Sequence, residues 1–150
     1  MKYSRFHVNY FIHYYYMATI FSKIVKGEIP CYKIAESDEY YAFLDINPLV
    51  EGHTLVIPKK ETDYLFDLSD NDLSGIMVFA KKVASALKKT YPGKRIGVAV
   101  IGFEVPHAHI HLVPMKNMSD MDFKRKRVKL SKEEFQEVAE RVRGYIEPCL

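Results

Sequence analysis

The sequence predicts an α+β domain: a five-stranded antiparallel sheet, one long helix inserted among the strands, and a helix near the C-terminal end. Three observations predict it. Five short runs rich in β-branched, aromatic or aliphatic residues are separated by turn residues. Between the third and fourth runs, Leu73, Ile76, Met77, Ala80, Val83, Ala84 and Leu87 recur at the three- and four-residue spacing of one helix face. Near the end, Ser131 and Glu134 form a capping box ahead of Phe135, Val138, Ala139, Val142 and Ile146, which share a face.

In chain order, residues 22–29 form a short helix, ended by Gly27 and by Pro30, which cannot continue it. Residues 31–36 and 39–46 read as strands joined by the Ser37-Asp38 turn. The second strand, Tyr40-Tyr41-Ala42-Phe43-Leu44, is apolar on both faces, as a strand covered on both sides must be. Asn47-Pro48 and Glu51-Gly52 supply turn chemistry before a third strand at 53–58, closed by Pro58. Ser69 caps the long helix, with Asp72 in its first turn, and Pro92-Gly93 ends it. A fourth strand covers 95–101 and a fifth covers 107–114.

A chain of 150 residues, 48% hydrophobic and 27% charged, has the length and composition of one globular domain. A net charge of +3 is too small to argue for a nucleic-acid partner. Cys31 and Cys149 form no C-x-x-C motif and read as free thiols, which suits a reducing cytoplasm. Residues 1–16 are aromatic and lack any acidic residue. His7, Asn9 and His13 interrupt the apolar positions, so a secretory signal is not expected, and no stretch reaches the ~20 apolar residues of a membrane span. Met17 opens a segment that reads as a normal start, so 1–16 is read as an upstream extension and 17–150 as the domain. A membrane-surface anchor is the alternative for the extension.

The run from 107 to 114, His-Ala-His-Ile-His-Leu-Val-Pro, holds three of the six histidines at alternate positions. On a strand, His107, His109 and His111 line one face, while Ala108, Ile110 and Leu112 turn into apolar packing. Imidazole titrates near neutrality and serves as base, acid, nucleophile or metal ligand. Taken alone, the run fits zinc ligation, a catalytic histidine steadied by its neighbours, or a surface strand that carries histidines.

Its flanks carry a resemblance. Residues 20–30 (IFSKIVKGEIP), 43–48 (FLDINP), 52–59 (GHTLVIPK) and the histidine run stand in the order of the histidine-triad (HIT) superfamily, over roughly residues 18–115. The resemblance implies a HIT-like fold dimerising into a continuous sheet, and nucleotidyl hydrolase or transferase chemistry at the α-phosphate of nucleoside 5′-phosphoramidates or related derivatives, with no cofactor. A dinucleoside polyphosphate hydrolase and a non-catalytic nucleotide-binding protein are the alternatives. The resemblance makes His109 the nucleophile, with His107 and His111 hydrogen-bonding the phosphoryl oxygens or setting the nucleophile's electrostatics, and His53 as an additional active-site histidine supporting the phosphoryl group and proton traffic. Asp45 is then the acceptor for the ribose hydroxyls, a role suited to an acceptor-only carboxylate. Phe21, Ile24, Phe43 and Ile46 wall the base pocket, and Glu104 and Val105 fall where relatives contact the phosphate. The implied partners are a purine nucleotide and a second copy of the chain. Simple core packing for the apolar residues, and a turn role for Asp45, are the plainer alternatives.

The chain departs from the family's pattern in two places. The stretch 100–106 before the triad is shortened, and Glu104 stands where relatives often have a hydroxyl. Thr19, Ser22 and Glu61 replace zinc ligands of bacterial relatives, so no structural zinc is expected. The basic run 124–129 reads as a solvated segment or an electrostatic guide for polyanions.

Overall fold

The structure, a computed structural model, describes residues 18–146. The expectation for residues 1–16 lies outside the described residues. Five strands, β1 (Lys33–Glu36), β2 (Tyr40–Leu44), β3 (Thr54–Pro58), β4 (Arg95–Ala99) and β5 (Ile110–Met115), form one sheet in the order β1-β2-β3-β5-β4. Every pairing is antiparallel. Three α-helices accompany it: α1 (Ile20–Val25), α2 (Asp70–Thr90) between β3 and β4, and α3 (Lys132–Arg143). Among the described residues, no helix is long and apolar enough to cross a membrane.

Side-chain alternation divides the interior in two. Ala42, Leu44, Val56, Ile110 and Leu112 face one way and form the main core with Ile76, Phe79, Ala80, Val83 and Leu87 of α2 and Phe135, Val138 and Val142 of α3. Tyr41, Phe43, Leu55 and Ile57 face the other way, onto Phe21 and Ile24 of α1. β2 is buried along its whole length because both faces are covered. Ile110 and Leu112 are fully buried. Each such side chain contributes roughly 1.5–3 kcal/mol of apolar burial, and a one-residue slip would push imidazoles into the main core instead. The apolar half of the H-x-H-x-H pattern therefore fixes where its polar half points.

The boundaries differ from expectation for local reasons. α1 starts at Ile20, two residues early, because Thr19 caps it: the Thr19 hydroxyl accepts from the Ser22 N–H at 3.1 Å. It ends at Val25, and Gly27 then takes a positive φ of 75°. Ser69 caps α2, and Ser131 with Glu134 closes the box on α3, both as expected. The larger correction concerns the histidines. β5 begins at Ile110, so His107 and His109 lie in the lead-in to the strand and His53 lies just before β3. The triad rings nevertheless lie on the expected side: Phe21 packs edge-on against both His107 and His109, the His111 ring adjoins His109, and Ala108, Ile110 and Leu112 join the main core. Specific hydrogen bonds then set each ring.

Candidate active site

His111 is the one triad member on a strand, paired opposite Leu55 of β3 and Ala99 of β4. Behind it, His53 is 1% exposed. The Leu49 N–H donates to His53 Nδ1 at 3.1 Å. A nitrogen that accepts carries no proton, so the proton of the neutral ring is on Nε2. His53 Nε2 lies 2.9 Å from His111 Nδ1 and donates to it, which leaves the His111 proton on its own Nε2. Burial pushes the pKa of both rings down to about 3, aided at His53 by the Arg127 charge and at His111 by His53 itself. The neutral tautomers required by the hydrogen bonds are thus the ones burial favours. The 3.5 Å approach of Asp45 Oδ2 to His53 Nδ1 is accordingly not an ion pair.

His109 is held differently. Its Nδ1 lies 2.7 Å from the His107 carbonyl, which can only accept. Nδ1 therefore carries the proton and Nε2 has a free lone pair. No buried side-chain polar atom among the described residues lacks a partner, so the unpartnered Nε2 of His109 is accessible. Phe21 packs edge-on against this ring at 5.3 Å between centroids.

His107 is fully buried, and both its nitrogens are taken by protein. Nε2–H donates to the Pro58 carbonyl at 2.8 Å, and Nδ1 accepts from the Thr19 hydroxyl at 2.8 Å. The Ser22 hydroxyl donates to Glu61, which also accepts from the Thr19 N–H at 3.2 Å. Thr19, Ser22, Glu61 and His107 form a self-satisfied polar cluster of two hydroxyls, a carboxylate and an imidazole. It lacks thiolates, its one imidazole is engaged on both nitrogens, and its donor set does not fit a structural zinc ion.

A cavity of about 190 Å³ opens over His109 and His111 and is also lined by Asp45, Asn47, Glu104, Phe123 and Arg127, with residues 101–103 at its rim. The site residues expected from sequence sort into three groups. His109, His111, Asp45 and Glu104 meet at this cavity. His107 and His53 stand behind it, with both nitrogens of each ring on protein partners. Phe21, Ile24 and Phe43 belong to the small core under the sheet, with Val105 packed against it, while Ile46 is 71% exposed. Asp45 does have the turn role: its Oδ1 accepts from the Asn47 N–H at 2.8 Å, while Oδ2 lies 3.5 Å from His53 Nδ1. Asp45, His53 and His111 are the described residues whose ligand atoms approach within 4.8 Å of one another. The His53–His111 hydrogen bond occupies the two nitrogens that face each other there. Sequence reasoning missed Phe123 and Arg127. The basic run contained Arg127, but nothing in its charge pattern marked which cation turns inward.

The HIT domain family matches residues 26–118. An uncharacterized HIT-like protein of Borreliella burgdorferi is 40% identical over 128 residues, 80% of this chain and 92% of that protein. The adenosine 5′-monophosphoramidase HNT1 of Saccharomyces cerevisiae is 44% identical over 101 residues, 67% of this chain and 64% of its own length. The crystal structure of a Hit-like protein involved in cell-cycle regulation from Bartonella henselae superposes with a TM-score of 0.73 at 32% identity, covering 85% of this chain and 95% of that one. A Zn-bound histidine triad family protein from Mycobacterium smegmatis gives 0.73 at 28% identity, covering 87% of this chain and 94% of that one. With the family's match spanning all five strands and all three triad histidines, this chain belongs to the HIT domain family.

Proposed function

We propose that this protein is a nucleotidyl hydrolase or transferase acting on nucleoside 5′-phosphoramidates and related nucleoside 5′-phosphoryl derivatives, through a nucleotidyl-His109 intermediate. The observation that carries the reading is the 2.7 Å bond from His109 Nδ1–H to the His107 carbonyl, which fixes the tautomer with an accessible Nε2 lone pair. That nitrogen attacks the α-phosphorus. A phosphorus–nitrogen or phosphoanhydride bond breaks as the Nε2–phosphorus bond forms, and the departing group takes up a proton. Water then cleaves the nucleotidyl-imidazole, releasing nucleoside monophosphate and free His109. His111 Nε2–H donates to a phosphoryl oxygen as charge builds there. His53 and His107 hold ring positions, Asp45 Oδ2 accepts from ribose, and a purine lies toward Ile46 at the open side.

Relatives whose names describe adenosine 5′-monophosphoramidases, 39–44% identical over the matched segments, support this substrate class. The protein acts in the cytoplasm and as a homodimer in this reading. The outer edge of β4 has no strand beside it among the described residues, and Val98 on that strand is 53% exposed.

The test is hydrolysis of adenosine 5′-phosphoramidate with chelator present, with the protein quenched mid-turnover and assayed for nucleotide bound to histidine. Release of AMP with label on the protein, both lost in His109→Ala, supports the proposal. Tight AMP binding without turnover would make this a nucleotide-binding protein, and loss of activity on chelation would replace the mechanism with a metal-dependent one.

A further inference from the structure

We infer that Glu61 is a positioning residue for the triad: it docks the first turn of α1 against His107 and His109, and so holds His109 in the tautomer that attacks. This rests on the reading of His109 as the nucleophile.

The sheet stops short of these two rings. β5 pairs with β3 no further than Val56 opposite Ile110, and with β4 no further than Ala99 opposite His111. Residues 107–109 thus lie outside the ladder, yet the His107 carbonyl decides where the His109 proton sits. Two other surfaces hold them. One is the chain around the end of β3, where the Pro58 carbonyl accepts from His107 Nε2–H at 2.8 Å and the Thr62 carbonyl accepts from the Ala108 N–H at 2.7 Å. The other is the first turn of α1. Its Thr19 hydroxyl donates to His107 Nδ1 at 2.8 Å, and its Phe21 ring lies edge-on to both imidazoles.

Glu61 joins the two surfaces. It stands between Pro58 and Thr62 in the chain, and one carboxylate oxygen, Oε2, accepts from the Thr19 N–H at 3.2 Å and from the Ser22 hydroxyl. A helix of six residues does not hold its place alone, and bonds to an ionised acceptor are stronger than neutral ones. The carboxylate is therefore the anchor that seats Thr19 and Phe21. Without it, His107 loses the steady donor on its Nδ1, and its carbonyl no longer keeps the His109 proton on Nδ1. A ring with its proton on Nε2 has no lone pair there to offer phosphorus. Glu61, Ser22 and Thr19 do not line the cavity, so their effect falls on reactivity and leaves substrate binding to other residues.

The test compares the intact protein with Glu61→Ala, Glu61→Gln and Ser22→Ala, each checked for folding by circular dichroism. In Glu61→Ala, kcat for adenosine 5′-phosphoramidate should fall roughly tenfold while KM stays within about twofold. Glu61→Gln keeps an acceptor oxygen and should recover most of that loss. Ser22→Ala removes one of the two donors and should show a smaller loss in kcat, which decides the matter if Glu61→Ala does not fold. Nitrogen NMR of the imidazoles, recorded without substrate, supplies a readout that stability alone would not move. His109 should give a single Nδ1–H tautomer in the intact protein and a mixture of tautomers in Glu61→Ala. An unchanged kcat, a loss confined to KM, or unaltered His109 nitrogen signals in the folded variants would overturn the proposal. Failure of the nucleophile reading shows elsewhere: His109→Ala would still hydrolyse substrate, while the nitrogen spectra would report on Glu61 regardless.

Discussion

Two pairs of histidines share one patch of this sheet, and they differ in what their second nitrogen meets. His109 and His111 each commit one nitrogen to the protein and present the other to the cavity. His53 and His107, 1% and 0% exposed, commit both nitrogens to protein partners. The rear pair and two backbone groups decide which nitrogen of the front pair carries its proton. The Leu49 N–H sets His53, which sets His111, and the His107 carbonyl sets His109. In the proposed reaction the front rings react, and the tautomers they need are set by the groups behind them.

The sharpest way to break this division is to remove one ring from each pair and ask which property fails. His109→Ala should lower kcat for adenosine 5′-phosphoramidate by at least about a thousandfold, as expected for loss of a nucleophile. Its thermal midpoint should move by only a few degrees, because the ring has one protein hydrogen bond and borders the cavity. His107→Ala should invert the pattern. It empties a fully buried site and leaves the Pro58 carbonyl and the Thr19 hydroxyl without their partner, a cost of roughly 2–4 kcal/mol in urea denaturation. Its loss in kcat, through looser placement of His109, should be far smaller than that of His109→Ala. Comparable kcat losses in the two variants would erase the distinction between the pairs.

The next effect is one of pH. His53 and His111 are held neutral in the folded protein with pKa values pushed to about 3 by burial, whereas in the unfolded chain each titrates near its ordinary value of about 6.5. Between those limits the unfolded state binds more protons, so stability rises with pH through that window and levels off above it. Acidification from pH 7 toward pH 4 should therefore lower the urea midpoint, with each ring adding up to about 1.4 kcal/mol per pH unit to the slope. Replacing His53 by Gln should flatten the curve between pH 4 and pH 6. A midpoint independent of pH across that range would mean that these rings are not held neutral.

How legible was this in the sequence? Elements whose signals are local came through: the capped helices at Ser69 and Ser131, the doubly covered strand at Tyr40–Leu44, and the apolar alternation at Ala108, Ile110 and Leu112. Asp45, His109 and His111, singled out along the chain, line one cavity. What did not come through was the depth and partner of each ring. The ladder begins only at Ile110, and ahead of it the rings answer to single hydrogen bonds. Those partners, Pro58, Thr19 and the His107 carbonyl, lie on backbone or on distant segments and leave no spacing pattern in the chain. Arg127 was hidden for a similar reason: in a run of cations, which one turns inward depends on where Val128 meets Pro48.

The smallest predicted effect tests how far back the rear layer extends. Thr19 does two jobs with one hydroxyl, accepting from the Ser22 N–H as the cap of α1 and donating to His107 Nδ1. Valine preserves the shape and removes both bonds. Loss of the cap costs about 1 kcal/mol, and a buried imidazole nitrogen left without a donor adds roughly 1–2 kcal/mol. Thr19→Val should therefore lower stability by about 2–3 kcal/mol, and Thr19→Ser, which keeps the hydroxyl, should restore most of it. If the Val variant loses only the cap's share, His107 is held by Pro58 alone, and the rear layer ends at its ring. If it loses the full amount, the layer continues through Thr19 to Ser22 and Glu61, where two hydroxyls and a carboxylate hold by hydrogen bonding the residue whose backbone carbonyl holds His109.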